Sequence, residues 1–164
     1  MLETSVAMTR PWNLLNLPVY SLATYQGEKV NMNICTYVSA VSMKPKQYMV
    51  AVYHGTQSLE NITSSKTAVL QLLGVQHVSL VNTLGKKSGL RYDKENYLTK
   101  KKLITLWHDK KVLTNCAGLM ELEKLWAKEA GDHTMFLFDV KRFQSNHKNV
   151  LTLDDLRTKK LIRI

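Results

Sequence analysis

NMNICTYVSAVSMKPKQYMVAVYHGTQSLENITSSK, residues 31–66, is the stretch on which the fold turns. Its first part alternates and carries β-branched residues, Lys44-Pro45-Lys46 interrupts it, and a second apolar run follows through Tyr53. Two such runs joined through a turn with a proline predict a β-hairpin. Beyond the hairpin, His54-Gly55-Thr56-Gln57-Ser58 sets an imidazole, a glycine and two hydroxyls beside a helix expected over 58–66, with Ser58 as its cap. Free backbone N–H groups at a helix start, with hydroxyls next to them, suit a phosphate or another anion.

Outward from this stretch, residues 18–24 alternate as a strand and 25–29 read as a turn, while 4–16 fit a short helix or an irregular lead-in equally well. On the other side, 68–73 is short, apolar and followed by Gly74, which predicts a buried strand. Val78, Val81 and Leu84 lie at helical spacing, so a helix is expected over 76–84 with Gly85 as its stop. Residues 85–97 read as a loop that exposes Lys86, Lys87 and Ser88. Strands are expected again at 111–113, 117–128 and 134–143, the last two paired antiparallel around a turn at 129–133. Good helix formers fill 117–126, but their partial alternation and the turn that follows favour a strand. Residues 151–164 read as a helix or an edge segment.

Length and composition narrow the class. A chain of 164 residues predicts one domain over 1–164, since a single core at that size buries about 68–70% of the unfolded surface. No run of about 18 apolar residues exists to span a membrane. No basic region leads into an apolar one near the start, so no signal peptide is read and a cytoplasmic location is expected. Cys35 and Cys116 stand far apart without a CxxC or Cys/His cluster, which argues against a disulfide framework and a structural zinc, and no metal site is expected. Cys35 itself reads as a packed small hydrophobe. The net charge of +10 raises nucleic acid as a partner. Its clusters, Lys100–Lys102 with Lys110-Lys111 and the basic residues of 157–163, are not interleaved with aromatic side chains. They read as solvated faces with some attraction for anionic ligands, not as a stacking platform.

The order of elements and their marker residues resemble the flavin reductase-like family, in which FMN binds on a split β-barrel. The residues that carry the resemblance are Thr36, Val41-Ser42, Pro45, Thr56, Ser58 and Asn61-Ile62, then Gly131-Asp132-His133 ahead of an apolar strand ending at Val140. The match covers roughly residues 18–145 in the same order. Two positions differ: a single proline stands after Val41-Ser42, and His54-Gly55 occupies the phosphate turn where many members carry an arginine.

The resemblance implies a mainly β fold with a few helices, an FMN-binding split β-barrel, and a homodimer. It implies FMN as cofactor, with NADH or NADPH as co-substrate. The residues expected to hold flavin are Thr36, Tyr37, Val38 and Ser39 along the ring edge, His54, Thr56 and Ser58 at the phosphate, and Lys87 from the following loop; His133 is expected to meet the nicotinamide. Each has a plainer alternative. Thr36 and Ser39 fit strand-end hydrogen bonding, Thr56 and Ser58 fit turn and cap roles, and His133 could simply hold its turn through Asp132. Three functions stay open: an NAD(P)H-dependent flavin oxidoreductase, a flavin-binding electron carrier of the same fold, and a basic protein that binds an acidic partner or nucleic acid.

Overall fold

Alternation of apolar and polar residues sorts most of the chain into strands, and the turns between them set how the strands meet. The computed structural model describes residues 10–162. After a 3-10 turn at Pro11–Asn13 come β1 (Tyr20–Gln26), β2 (Lys29–Met32), β3 (Val38–Ser42), β4 (Gln47–Tyr53) and α1 (Gln57–Ser64). Next are β5 (Thr67–Leu72), a 3-10 segment Val75–Leu80, α2 (Val81–Lys86) and α3 (Lys94–Lys100). The chain ends with β6 (Ile104–Trp107), β7 (Lys110–Leu113), β8 (Gly118–Ala130), β9 (His133–Ser145) and α4 (Leu153–Thr158). Seven strands form one sheet in the order β2-β1-β5-β8-β9-β4-β3, and β6 and β7 form a separate hairpin. Every pairing is antiparallel, so the fold is mainly β with a few helices, as expected.

The sheet carries a core on each face. Ser21, Leu22, Ala23 and Thr24 of β1 are all fully buried, because neighbouring elements cover both sides of this strand. One cluster joins Leu22, Ala68, Leu70 and Leu122 with Val50, Val52, Phe136 and Phe138 and with Ile62 of α1. The other joins Ala23, Val69 and Leu119 with Leu80, Leu84, Leu98, Val112 and Leu156, so the helices after β5 and the β6–β7 hairpin cover that face. Helix α1 therefore packs its apolar side beneath β1 and β4 while its first turn reaches the surface.

The longest hairpin, β8–β9, is closed by Gly131-Asp132, with Ala130 opposite His133. Gly131 has φ +63°, a left-handed conformation that favours glycine in a two-residue turn. This tight closure sets Asp132 and His133 directly at the strand end.

Several boundaries differ from the sequence reading. The turn over 25–29 contracts to Gly27-Glu28, because Tyr25 and Gln26 pair with Val30 and Lys29 across a hairpin. Asn31 and Met32 belong to β2, paired with Thr24 and Ala23, and not to β3, and Thr36 and Tyr37 lie in the irregular link between β2 and β3. The α1 cap is Thr56, whose hydroxyl accepts from Leu59 N at 3.2 Å, while Ser58 lies inside the helix. Gly85 does not stop α2, which runs to Lys86. The loop over 85–97 contains the start of α3, capped by Asp93 accepting from Asn96 N. Strand β6 was not expected, and the tail forms α4 over part of its length. Of the undecided 4–16 lead-in, residues 4–9 lie outside the described residues, as do residues 163 and 164 of the tail.

Candidate functional site

Where β2 ends, the chain leaves the sheet as Asn33–Tyr37; where β4 ends, it turns through His54-Gly55 into α1. These two exits face the end of α2 and its following loop, and together they leave a cleft of about 570 Å³. Thr36, Tyr37, His54, Thr56, Ser58, Lys87 and His133 all line it, although residues 36 and 133 are nearly a hundred positions apart in the chain. Val38 lies outside this cleft but borders an adjoining depression with Thr36, Tyr37 and His133. Ser39 borders neither: it is exposed on β3, and its hydroxyl donates to Ala40 O at 3.2 Å.

At one end of the cleft the surface is aromatic. The His133 ring sits 4.9 Å from the Tyr37 ring and 5.2 Å from the Tyr53 ring, centroid to centroid. Its Nδ1 lies 2.6 Å from Asp132 Oδ1. That hydrogen bond holds the Asp132 carboxyl below its usual range, so the carboxylate is ionised and fixes Nδ1 as the donor. Nε2 of His133 is then the nitrogen left to meet a ligand. Asp132 thus orients the ring, and the two tyrosines hold it at the cleft wall.

At the other end the floor is polar and buried. Asn31 Nδ2 donates to Ser58 Oγ at 3.0 Å, and Asn61 Nδ2 donates to Thr24 Oγ1 at 3.1 Å. Gln57 Nε2 in turn donates to Asn61 Oδ1 at 2.8 Å. Ser58 is 1% exposed, yet as an acceptor of the Asn31 bond it keeps its own proton for a partner in the cleft. Thr56 differs, since its hydroxyl donates to Tyr53 O at 2.8 Å and accepts from Leu59 N, so both functions serve the turn. The loop after α2 closes over this floor because residue 89 is glycine: a Cβ there would stand 2.2 Å from Asn31 Oδ1 and 3.0 Å from Gln57 Cβ.

The basic residues are placed unevenly. His54 Nε2 stands 3.1 Å from Thr134 Oγ1 and 3.1 Å from Glu129 Oε2, which ties the β4 turn to the β8–β9 hairpin. Lys87 lies with its ammonium 4.2 Å above the Tyr92 ring. Lys94, which the sequence reading did not single out, is buried at 6% exposure and lines the cleft. Its Nζ donates to Leu84 O at 2.7 Å. Asn31 and Gly89 were missed as well; the Asp93 cap in front of Lys94 was the one local signal that pointed to α3. Burial pushes the Cys35 thiol, also on the cleft wall, up to about 12, so it is a neutral packed group there.

An elongated ligand with a planar ring at one end and a phosphate at the other matches this division, and the volume is ordinary for a small-molecule site. Flavin mononucleotide has that form, so the residues present fit the group. Among the described residues no cluster of three or more His, Cys, Asp or Glu is placed to hold a metal ion, and no helix is long and apolar enough to cross a membrane.

The fold has solved counterparts. An FMN-binding protein from Thermus thermophilus with bound 1-cyclohex-2-enone superposes with a TM-score of 0.73 at 19% identity, over 84% of this chain and 75% of that one. Flavoredoxin from Methanosarcina acetivorans gives 0.71 at 19% identity, over 80% and 69%. The styrene monooxygenase flavin reductase from Pseudomonas putida S12 gives 0.71 at 18% identity, over 85% and 86%. No curated protein matches the sequence. Residues 12–159, most of the chain, match the family described as flavin reductase like domain. The chain belongs to the flavin reductase-like family.

Proposed function

We propose that this chain is an NAD(P)H-dependent flavin oxidoreductase that binds FMN in the cleft between β2, β4, α2 and His133. The observation that carries the reading is the cleft's polarity. One end is lined by Tyr37, Tyr53 and the Asp132-oriented His133, and the other by the buried Ser58, Asn31 and Lys94. Family membership supports a flavin as the ligand. The flavin would accept hydride from NADH or NADPH, so the protein need supply no acid or base of its own. The backbone of Thr36 and Tyr37 borders the ring end, Ser58 offers its hydroxyl at the phosphate end, and His133 offers Nε2 to the nicotinamide. Two free cysteines far apart support a cytoplasmic setting for a single flavin reductase-like domain of the split-barrel type. The exposed side chains of Val41, Met43, Trp126 and Phe143 support its pairing as a homodimer.

The test is an anaerobic absorbance titration of the purified protein. FMN should bind with perturbed flavin bands, and NADH or NADPH should bleach them. Bands that persist after either nucleotide would assign the chain as a flavin-binding electron carrier, and failure to take up FMN would remove the flavin reading altogether.

A further inference from the structure

We infer that Lys94 is the cation that engages the terminal phosphate of the flavin mononucleotide, an assignment that rests on the flavin reading above. The starting point is an ammonium with too few partners. Lys94 is 6% exposed, and its ammonium donates to Leu84 O. An ammonium has three donors, and a carbonyl satisfies one of them without supplying a counter-charge. A buried charge without an opposite charge is costly and is normally paired.

The neighbouring carboxylates are committed elsewhere. Asp93 accepts from Asn96 N at 2.9 Å as the α3 cap. Glu95 accepts from Val30 N at 2.9 Å through one oxygen and from Lys111 Nζ through the other. Among the described residues Lys94 therefore has no anionic partner, and it lines the cleft that Ser58 and Asn31 also line. A phosphate monoester supplies what is missing, a dianion with several acceptor oxygens for the ammonium and the Ser58 hydroxyl.

Of the other basic side chains on the cleft, Lys86 is exposed at the end of α2, and His54 and Lys87 are engaged. His54 is bound to Thr134 and Glu129, and Lys87 covers Tyr92. Burial also draws the Lys94 ammonium down from 10.5 to about 8, the direction of a desolvated charge without a counter-charge. A purely structural role, clipping α3 to the last turn of α2 through Leu84 O, is the competing explanation.

Comparing FMN with riboflavin, which lacks the phosphate, separates the two. In Lys94→Met the affinity for FMN should fall roughly 10- to 100-fold, as for loss of a charge-assisted hydrogen bond, while riboflavin affinity stays within about twofold. Equal losses for both flavins, or an unchanged FMN affinity, would overturn the assignment and leave the flavin reading intact. Binding of neither flavin by the unmodified protein would overturn both. A second measurement needs no variant: the Nζ nitrogen resonance of Lys94 in the unmodified protein should shift on adding FMN and stay in place on adding riboflavin. A resonance indifferent to FMN would refute the contact.

Discussion

Without ligand, the buried ammonium of Lys94 should make the stability of this protein rise as solution becomes alkaline. In the folded chain its pKa is drawn from 10.5 to about 8 by burial. Below the lower value both states carry the charge, and the folded state bears its full desolvation cost. Between the two values the folded protein has released its proton while the unfolded chain still holds one, so stability increases with pH. Above the higher value both states are neutral and the effect ends. A shift of this size corresponds to roughly 3 kcal/mol in total, of which about 2 kcal/mol appears between pH 8 and 10. The comparison is with Lys94→Met, which keeps the stem and discards the charge. Urea unfolding of both proteins at pH 7, 8, 9 and 10 gives a difference in which other groups cancel. The other titratable groups lining the two clefts that Lys94 borders are Cys35, Tyr37, Tyr53, His54, Lys86, Lys87 and His133 on one side and Lys29, Arg91, Tyr92, Asp93 and Glu95 on the other, all shared by both chains. The stability of the unmodified protein relative to the variant should climb by about 2 kcal/mol from pH 8 to 10. A difference flat to within about 0.5 kcal/mol would refute the reasoning, because it would mean that water reaches the ammonium freely.

Three further outcomes follow from the same geometry. Gly89→Ala places a Cβ 2.2 Å from Asn31 Oδ1, so the loop or the Asn31–Ser58 bond must yield; a loss of roughly 2–4 kcal/mol is expected in urea unfolding, and a loss below about 1 kcal/mol would show that the loop moves aside without strain. Thr56→Ala removes the α1 cap and should lower stability by about 1 kcal/mol with FMN affinity nearly unchanged, because both hydroxyl bonds of Thr56 are internal; a selective fall in FMN retention would instead put that hydroxyl on the phosphate. His133→Ala should leave FMN bound but slow its reduction by NADH or NADPH by roughly tenfold or more, measured by stopped-flow bleaching, and equal rates would reduce His133 to a turn residue.

What the sequence made legible was local. The β3–β4 and β8–β9 hairpins announce themselves because each strand, its turn and its partner are contiguous, and Gly131 marks the closure of the second. The cleft-lining residues on those same segments, Thr36, Tyr37, His54, Ser58 and His133, were singled out through the family resemblance that those segments carry. The β1–β2 hairpin was obscured because Tyr25, Gln26 and Lys29 look like turn material until they are seen paired. Helix α3 was lost in a polar run: only Lys94 and Leu98 are buried, too few to show a period. The floor of the cleft was beyond reach for a different reason. Asn31 and Ser58, and likewise Thr24 and Asn61, meet only because α1 is folded under β1 and β2, and no local pattern records that pairing.

The histidine at position 54 is explained by the same division of labour. Where many members of the family place an arginine, His54 ties the β4 turn to Thr134 and Glu129 on the long hairpin. That tie stiffens the link between the turn that begins α1 and the strand that presents His133, so both ends of the cleft are held in one register. Lys94, on α3, lines the same cleft, and the glycine at 89 lets the intervening loop lie close against Asn31 and Gln57. If Lys94 holds the phosphate as inferred above, positions 54 and 94 are complementary, one fixing the frame and the other supplying the charge. An arginine at 54 would have to break from Glu129 to serve a phosphate, so His54→Arg should restore little affinity to a Lys94→Met background. Recovery of most of the lost FMN affinity in the double variant would show that the two walls are interchangeable and that this division is wrong.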